Sequence, residues 1–347
     1  MKKIFYTGSF LPEGKPGIRG YELDTDSGAV RPTAEYSGIE NPTYLYVDRT
    51  KRVLYSVSEL EGDGGSIAAL SIAGDGSLTE LDRAEVSGRG ATHIAVCRRY
   101  AAAAEYYSGD VDIYKLKEDG TFDKRIFSDR HTGKGPVKER QDCPHGHYVG
   151  FDPFDKSALW SVDLGNDTVY VYRIDDESAR IERVIPIPPG DGPRHLLFSE
   201  KHPELVYCVC EITFRVHAIE KESGGIISTV SAIDEGFDGF GGAAAIRFDE
   251  DEKHLYVSNR VLDPPVGMDS IACFELDGNG LPHEPAIIKT GYRFPRDMNI
   301  FPEYGLMAAA YQLDDLLQIR RLGKDGMPEE ILSETKAEAV CCISELI

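Results

Sequence analysis

Short runs of apolar and β-branched residues recur along the chain, each bounded by turns rich in Asp, Gly, Lys or Arg. One unit has VLYSVSEL at 53–60, SIAALSI at 66–72 and then a GDG turn at 74–76. Comparable pairs are SALWSVDL with TVYVYRI, and HLYVSNR with SIACFEL. Such runs indicate β-strands joined by hairpins, and nothing between them has sustained helical periodicity. The pattern predicts an all-β protein.

A short tetrapeptide opens each repeat and sets its period. It reads PTYL at 42–45, ATHI at 91–94, PHGH at 144–147, PRHL at 193–196, AAAI at 243–246 and PRDM at 295–298. The intervals are 49, 53, 49, 50 and 52 residues, which is the period typical of β-propeller blades. Each repeat therefore predicts one four-stranded antiparallel blade.

The two ends of the chain complete a seventh blade. KIFYTGSF, GIRGYEL and VRPTAEY supply three strands near the N-terminus, and AVCCISEL supplies one near the C-terminus. Pairing these strands would close the ring and leave no exposed sheet edge. We therefore predict a seven-bladed β-propeller, closed by terminal strands in one blade, that forms a single domain over residues 1–347.

The charge of the chain restricts its partners. A net charge of −21 argues against nucleic acid and against an anionic membrane surface, because both select a basic face. The start, MKKIFYTGSF, lacks the apolar core of a signal peptide, so a cytoplasmic location is expected. Seven scattered cysteines fit reduced thiols, and they predict no disulfide framework. The oligomeric state is left open.

Strand polarity predicts where functional groups meet. In an antiparallel blade, the start of the innermost strand and the end of the second strand lie at the same end of the propeller. The tetrapeptides should therefore meet Glu59, Glu105, Asp163, Glu211 and Asn259–Arg260. This mouth is a concave place where a small molecule can be bound.

Unusual residues at this predicted mouth point to chemistry. The fourth tetrapeptide position is apolar in five repeats and is His147 in the third, beside His145. Imidazole titrates near neutral pH and suits a general base, although a buried structural histidine is the alternative. Arg194, Arg260 and Arg296 surround the same mouth and favour a carboxylate or phosphate ligand, with His195 beside them. Glu211 is either an acid–base group or a structural partner of Arg194.

A metal ion is a weaker alternative at this mouth. The oxygens of Glu59, Glu105 and Asp163 are of the kind that bind cations. No spacing motif supports such a site, so we predict neither a metal nor another cofactor.

The chain resembles the lactonase propeller family, which contains bacterial 6-phosphogluconolactonases and fungal carboxymuconate lactonizing enzymes. The resemblance spans the whole chain and rests on QDCPHGHYVGFDP, SVDLGNDTVYVYRI, GDGPRHLLF, HLYVSNR and FPRDMNI, in order and at blade spacing. It implies catalytic roles for His145, His147 and Glu211, and substrate binding by Arg194, Arg260 and Arg296. Ala245 and Glu105 stand where family members often have Glu and Asn, and both bear on substrate choice.

Three functions follow from the residues and the resemblance. The leading one is hydrolysis of a sugar-acid lactone such as 6-phosphogluconolactone, with a histidine activating water and arginines holding the anionic substrate. A cycloisomerase that forms or opens a muconolactone is the second. A non-catalytic binding scaffold is the third, because propellers also serve as display platforms.

Overall fold

A computed structural model of the chain describes residues 1–60, 62, 64–262 and 267–346. Its strands form seven sheets, each with four antiparallel strands. The fold is a seven-bladed β-propeller, as the repeats predict. Two short 3₁₀ turns, Pro302–Tyr304 and Gln312–Asp314, lie within the described ranges.

One sheet joins the two ends of the chain, which confirms the predicted terminal blade. Its strands are β1 (Lys2–Ser9), β2 (Ile18–Asp24), β3 (Val30–Tyr36) and β28 (Val340–Glu345). Their order in the sheet is β28-β1-β2-β3, with the C-terminal strand at one edge.

The described residues divide into two compact units. The N-terminal unit comprises Lys3–Glu22, Pro32–Pro193 and the last residues from Ser344, and the C-terminal unit comprises Met1–Lys2, Leu23–Arg31 and Arg194–Ile343. The single domain predicted over residues 1–347 stays a prediction.

Three sheets belong to the N-terminal unit. The first has β4 (Leu45–Asp48), β5 (Val53–Ser58), β6 (Ser66–Ile72) and β7 (Leu78–Glu85). The second has β8 (Ala91–Cys97), β9 (Tyr100–Glu105), β10 (Asp110–Leu116) and β11 (Phe122–Arg130). The third has β12 (Gly146–Phe151), β13 (Ala158–Asp163), β14 (Thr168–Asp175) and β15 (Ser178–Pro186).

Three further sheets lie in the C-terminal unit, apart from one residue at the start of β16. The first has β16 (Pro193–Phe198), β17 (Leu205–Cys210), β18 (Arg215–Glu220) and β19 (Ile226–Ser231). The second has β20 (Gly241–Phe248), β21 (His254–Val261), β22 (Ser270–Glu275) and β23 (Ala286–Lys289). The third has β24 (Pro295–Phe301), β25 (Leu306–Tyr311), β26 (Leu316–Leu322) and β27 (Pro328–Lys336).

Burial differs between inner and outer strands for a physical reason. Every residue of β5, β13 and β17 is buried, because both faces of an inner strand pack against neighbouring sheets. The outer strand β7 alternates half-buried and exposed residues, since only one of its faces is covered. Apolar side chains of adjacent sheets interleave within each unit, as around Tyr55 and Val96, or around Val209 and Val257.

A tyrosine contact links neighbouring blades four times. Tyr55 donates its hydroxyl to the carbonyl of Gly120, and Tyr256 donates to that of Gly326, each at 2.8 Å. Tyr6 with Gly76 and Tyr207 with Gly280 repeat the contact. All four glycines have φ between 75° and 91°, a left-handed conformation that glycine adopts without strain in a turn. The contact satisfies a buried hydroxyl and fixes the spacing of adjacent blades.

All seven cysteines lie in the described residues and are free thiols, and Cys208, Cys210, Cys341 and Cys342 are buried. No helix among the described residues is long and apolar enough to cross a membrane.

Candidate functional site

Two arginines share one carboxylate oxygen in the C-terminal unit. Arg194 is the second residue of β16, Glu211 follows β17, and Arg260 lies near the end of β21. Nε of Arg194 donates to Oε2 of Glu211 at 2.8 Å, and Nη2 of Arg260 donates to the same oxygen at 2.6 Å. All three side chains are less than 10% exposed. The tetrapeptide that contains Arg194 therefore lies beside the end of the second strand at Glu211, as strand polarity predicts.

Backbone carbonyls complete the surroundings of the two guanidinium groups. Nη1 of Arg194 donates to the carbonyl of Ala244 at 2.8 Å. Arg260 donates to the carbonyls of Gly242 and Ala243 at 3.3 and 3.2 Å. These acceptors belong to the run GGAAA at 241–245, whose small side chains let the chain approach the arginines closely.

Gly242 shows how tightly this approach is built. A Cβ atom at this position would lie 2.6 Å from Cγ of Glu211 and 3.3 Å from Nη2 of Arg260. The register places Gly242 directly opposite Arg260 in the β20–β21 pair. The glycine thus leaves room for the shared carboxylate.

Burial and like charge act together on Arg194. Burial lowers the pKa of Arg194 and the neighbouring Arg260 lowers it further, whereas Glu211 opposes both effects. Arg296 also lowers the pKa of Arg194, which places a third guanidinium within electrostatic reach. Arginine keeps its charge in proteins, so the cluster holds closely spaced cations at an energetic cost. A bound anion would offset that cost.

Arg296 differs from the other two arginines in exposure. It is half-buried, and its Nη1 lies 3.4 Å from Oε1 of Gln312. Its neighbour Asp297 is buried and pairs with Arg247 at 2.8 Å. Arg296 is therefore the member of the cluster best exposed to a ligand from solvent.

His195 lies against the arginine that precedes it. Its Nε2 is 3.2 Å from Nη1 of Arg194, and its side chain is buried. A guanidinium can only donate, so Nε2 of His195 is the acceptor and Nδ1 carries the proton of the neutral ring. The predicted substrate-binding residues Arg194, Arg260, Arg296 and His195 all belong to this unit.

The predicted histidine pair lies in the N-terminal unit around Tyr106. His145 stacks on the Tyr106 ring at 4.5 Å, and His147 meets the same ring edge-on at 5.7 Å. Nδ1 of His145 lies 2.8 Å from the Tyr106 carbonyl, and its Nε2 lies 3.3 Å from Oδ1 of Asp142. Both histidines are less than 10% exposed.

Asp163 fixes the backbone at His145 and also contacts His131, a residue that the sequence pattern does not predict. Oδ1 of Asp163 accepts the backbone N–H groups of His145, Gly165 and Asn166 at 2.8 to 3.0 Å. Oδ2 lies 2.7 Å from Nδ1 of His131, which is fully buried. His131 has no place in the tetrapeptide repeat, so no pattern in the sequence points to it.

The three acids proposed as an alternative ion site have different surroundings. Glu59 accepts a hydrogen bond from Thr43 at 2.6 Å, and Asp163 is engaged as described above. Burial and the nearby carboxylates of Asp112 and Asp110 raise the pKa of Glu105 to about 9. The hydrogen bond that Gly88 donates to Glu105 lowers this pKa but does not outweigh the other effects. Glu105 therefore keeps its proton at neutral pH and is a poor cation ligand in that state.

Comparisons with known proteins identify the family of the chain. The family described as lactonase, 7-bladed beta-propeller, matches residues 4–345, and the chain belongs to this family. It is 33% identical to the 6-phosphogluconolactonase of Bacillus subtilis over 318 residues, which cover 89% of this chain and 88% of that protein.

Solved structures share the architecture. A protein from Lactobacillus plantarum matches with a TM-score of 0.90 and 27% identity over all of both chains. The periplasmic gluconolactonase of Pseudomonas aeruginosa matches with a TM-score of 0.90 and 24% identity, over 100% of this chain and 99% of that one. At 24% identity, the similarity to the gluconolactonase establishes the fold alone.

Proposed function

We propose that the protein hydrolyses a sugar-acid lactone carrying an anionic group, of the 6-phosphogluconolactone type. The observation that carries this proposal is the buried Arg194–Glu211–Arg260 cluster with the half-buried Arg296 beside it. Guanidinium groups bind phosphate and carboxylate bidentately. The family membership and the 6-phosphogluconolactonase of Bacillus subtilis support the same substrate class.

The chemistry requires a nucleophilic water and stabilisation of an oxyanion. Water adds its oxygen to the lactone carbonyl carbon while a histidine takes the proton. The ring C–O bond then breaks, and the departing alkoxide takes up that proton to give the open hydroxy acid. Arginine would stabilise the negative charge that develops on the carbonyl oxygen, an effect often worth about 100-fold or more in rate.

We assign the base to His147 and a supporting role to His145. Both ring nitrogens of His145 have polar neighbours, the Tyr106 carbonyl and the Asp142 carboxylate. Both histidines contact the Tyr106 ring, and we infer that His145 helps to fix the position of His147 through that ring. Glu211 acts through the arginines that it holds, which makes it a positioning residue.

The test is lactone disappearance above the spontaneous rate. Purified protein should accelerate hydrolysis of 6-phosphogluconolactone, and His147→Gln should lower kcat by about 100-fold or more. Arg83→Gln, at an exposed arginine that pairs with the half-buried Glu80, should leave kcat unchanged. Absence of acceleration with both phosphorylated and unphosphorylated aldonolactones would refute the proposal.

A muconolactone cycloisomerase is the second candidate, because several guanidinium groups also suit a substrate with two or three carboxylates. Loss of the ultraviolet absorbance of a conjugated muconate would identify this reaction. If the protein were inactive in both assays, the non-catalytic binding scaffold would be the function that remains.

The cytoplasmic location stays a prediction, and the gluconolactonase of Pseudomonas aeruginosa is periplasmic.

A further inference from the structure

Three side chains of different chemistry converge just before β12. Oδ1 of Asp142 lies 3.3 Å from Nε2 of His145, and Sγ of Cys143 lies 3.9 Å from the same nitrogen. One ligand atom from each of the three residues lies within 4.8 Å of the other two. Asp142 is exposed, Cys143 is half-buried and His145 is buried, so the group opens toward solvent on one side.

The His145 ring is oriented for coordination through Nε2. The Tyr106 carbonyl can only accept, so Nδ1 of His145 carries the proton and donates to it at 2.8 Å. Nε2 then holds the lone pair and faces Asp142 and Cys143. A backbone carbonyl on the second ring nitrogen is the usual support for a metal-binding histidine.

The backbone that carries these ligands is fixed by contacts with the segment 163–165. The N–H of His145 donates to Asp163 at 2.8 Å, and the N–H of Leu164 donates to the carbonyl of His145 at 2.9 Å. A Cβ atom on Gly165 would lie 1.9 Å from the carbonyl of Cys143, so the two segments pack in direct contact. The site is therefore held in place before any ion binds.

The geometry points to a divalent transition-metal site, and we propose that Asp142, Cys143 and His145 bind Zn²⁺ or a similar ion. Thiolate, imidazole and carboxylate are the ligands that Zn²⁺ takes, at about 2.0 to 2.3 Å from the metal. Tetrahedral ligands at those lengths are roughly 3.3 to 3.6 Å apart. The Asp142–His145 and Cys143–His145 separations of 3.3 and 3.9 Å lie within a few tenths of an ångström of these values.

The fourth position of such an ion would be open. Cys143 lines a cavity of about 520 Å³ together with Gly88, Tyr107, Ser108 and Arg130. Three protein ligands with an open fourth position leave room for water or an anionic ligand. The ion would occupy the lone pair of Nε2 of His145, so its binding is independent of the role assigned to His147.

Cobalt is the direct probe, because a thiolate ligand gives Co²⁺ an intense charge-transfer band in the near ultraviolet. Titration of the whole protein with CoCl₂ under anaerobic, reducing conditions should produce this band, and ZnCl₂ should abolish it. Cys143→Ser should remove the band, and Asp142→Asn should weaken Co²⁺ binding about tenfold or more. Cys97→Ser, at another half-buried thiol, should change neither result.

Two outcomes would overturn the site. One is a wild-type protein that gives no thiolate band at millimolar CoCl₂. The other is a band that survives Cys143→Ser or is lost with Cys97→Ser. Asp142→Asn alters an exposed side chain, so unchanged Co²⁺ affinity in that folded variant would also remove Asp142 from the ligand set.

Discussion

Nε of Arg194 lies 2.8 Å from Oε2 of Glu211, although the two residues are 17 positions apart in the chain. The contact joins the start of the innermost strand to the end of the second strand within one blade. Arg260, from the next blade, binds the same oxygen. A single carboxylate thus holds two cations that would otherwise repel each other.

Removal of that carboxylate should destabilise the fold. Glu211→Ala would leave two buried guanidinium groups without their shared anion, and we expect a loss of about 3 to 5 kcal/mol in the free energy of unfolding. Urea unfolding followed by circular dichroism measures it. Asp251→Asn, in the exposed pair with Lys253, should cost no more than about 1 kcal/mol. Similar losses in both variants would contradict the structural role of Glu211.

Gly242→Ala should impair activity by displacing the cluster. The added methyl group would meet Cγ of Glu211 at 2.6 Å, so Glu211 and Arg260 must shift. Displacements of about 1 Å can cost on the order of 100-fold in rate, and we expect kcat/KM for the lactone to fall by about tenfold or more. Gly278→Ala, where no heavy atom lies within 4 Å of the added carbon, is the matched control. Equal kcat/KM in both variants would show that the close approach at Gly242 is unimportant.

Glu105 should make stability depend on pH. Its pKa is about 9 in the folded protein, above the usual value of 4.5, so the folded state keeps a proton that the unfolded state has lost between these pH values. The free energy of unfolding therefore falls as pH rises, by up to about 1.4 kcal/mol per pH unit for this group.

Glu105→Gln mimics the protonated side chain and should remove this dependence. The Tm of the variant minus that of the wild type should therefore increase between pH 5.5 and pH 8.5. Glu80→Gln, at a carboxyl whose pKa is held below its usual range by the hydrogen bond with Arg83, should show no such trend. A Glu105→Gln difference that is constant across this range would mean that Glu105 is ionised in the folded protein.

The blade-linking tyrosines should each contribute a measurable hydrogen bond. Tyr256→Phe removes the hydroxyl that donates to Gly326 and leaves a buried carbonyl without this donor. We expect a loss of about 1 to 2 kcal/mol in the free energy of unfolding. Tyr46→Phe, on an innermost strand, is the comparison, and a larger loss there than in Tyr256→Phe would argue against the linking role.

Most of the fold follows from the repeat. Tetrapeptides at regular intervals predict the blades, and the unmatched strands at the two ends predict the shared sheet. The register then pairs Ala91 with Glu105 and Gly146 with Asp163, as strand polarity requires. The repeat does not predict the hydrogen bonds of the blade-linking tyrosines, because a tyrosine inside an apolar strand resembles any other core residue.

The candidate site is predictable only in part. Departures from the repeat identify Arg194, His147 and Arg296, because each replaces an expected apolar or small residue. His131 lies outside the repeat, and its contact with Asp163 depends on tertiary structure alone. The group formed by Asp142, Cys143 and His145 lacks the spacing of a metal motif, and the turn before β12 brings it together.

The most direct test of the anion-binding role is the ratio of kcat/KM for 6-phosphogluconolactone to kcat/KM for gluconolactone. The wild type should prefer the phosphorylated lactone. Arg296→Gln should lower the ratio by about tenfold or more, since a hydrogen bond to a charged group contributes about 1.5 to 3 kcal/mol. Arg83→Gln should leave the ratio unchanged. A wild-type ratio near one, or a ratio unaltered by Arg296→Gln, would contradict the proposal that the arginine cluster binds the anionic group of the substrate.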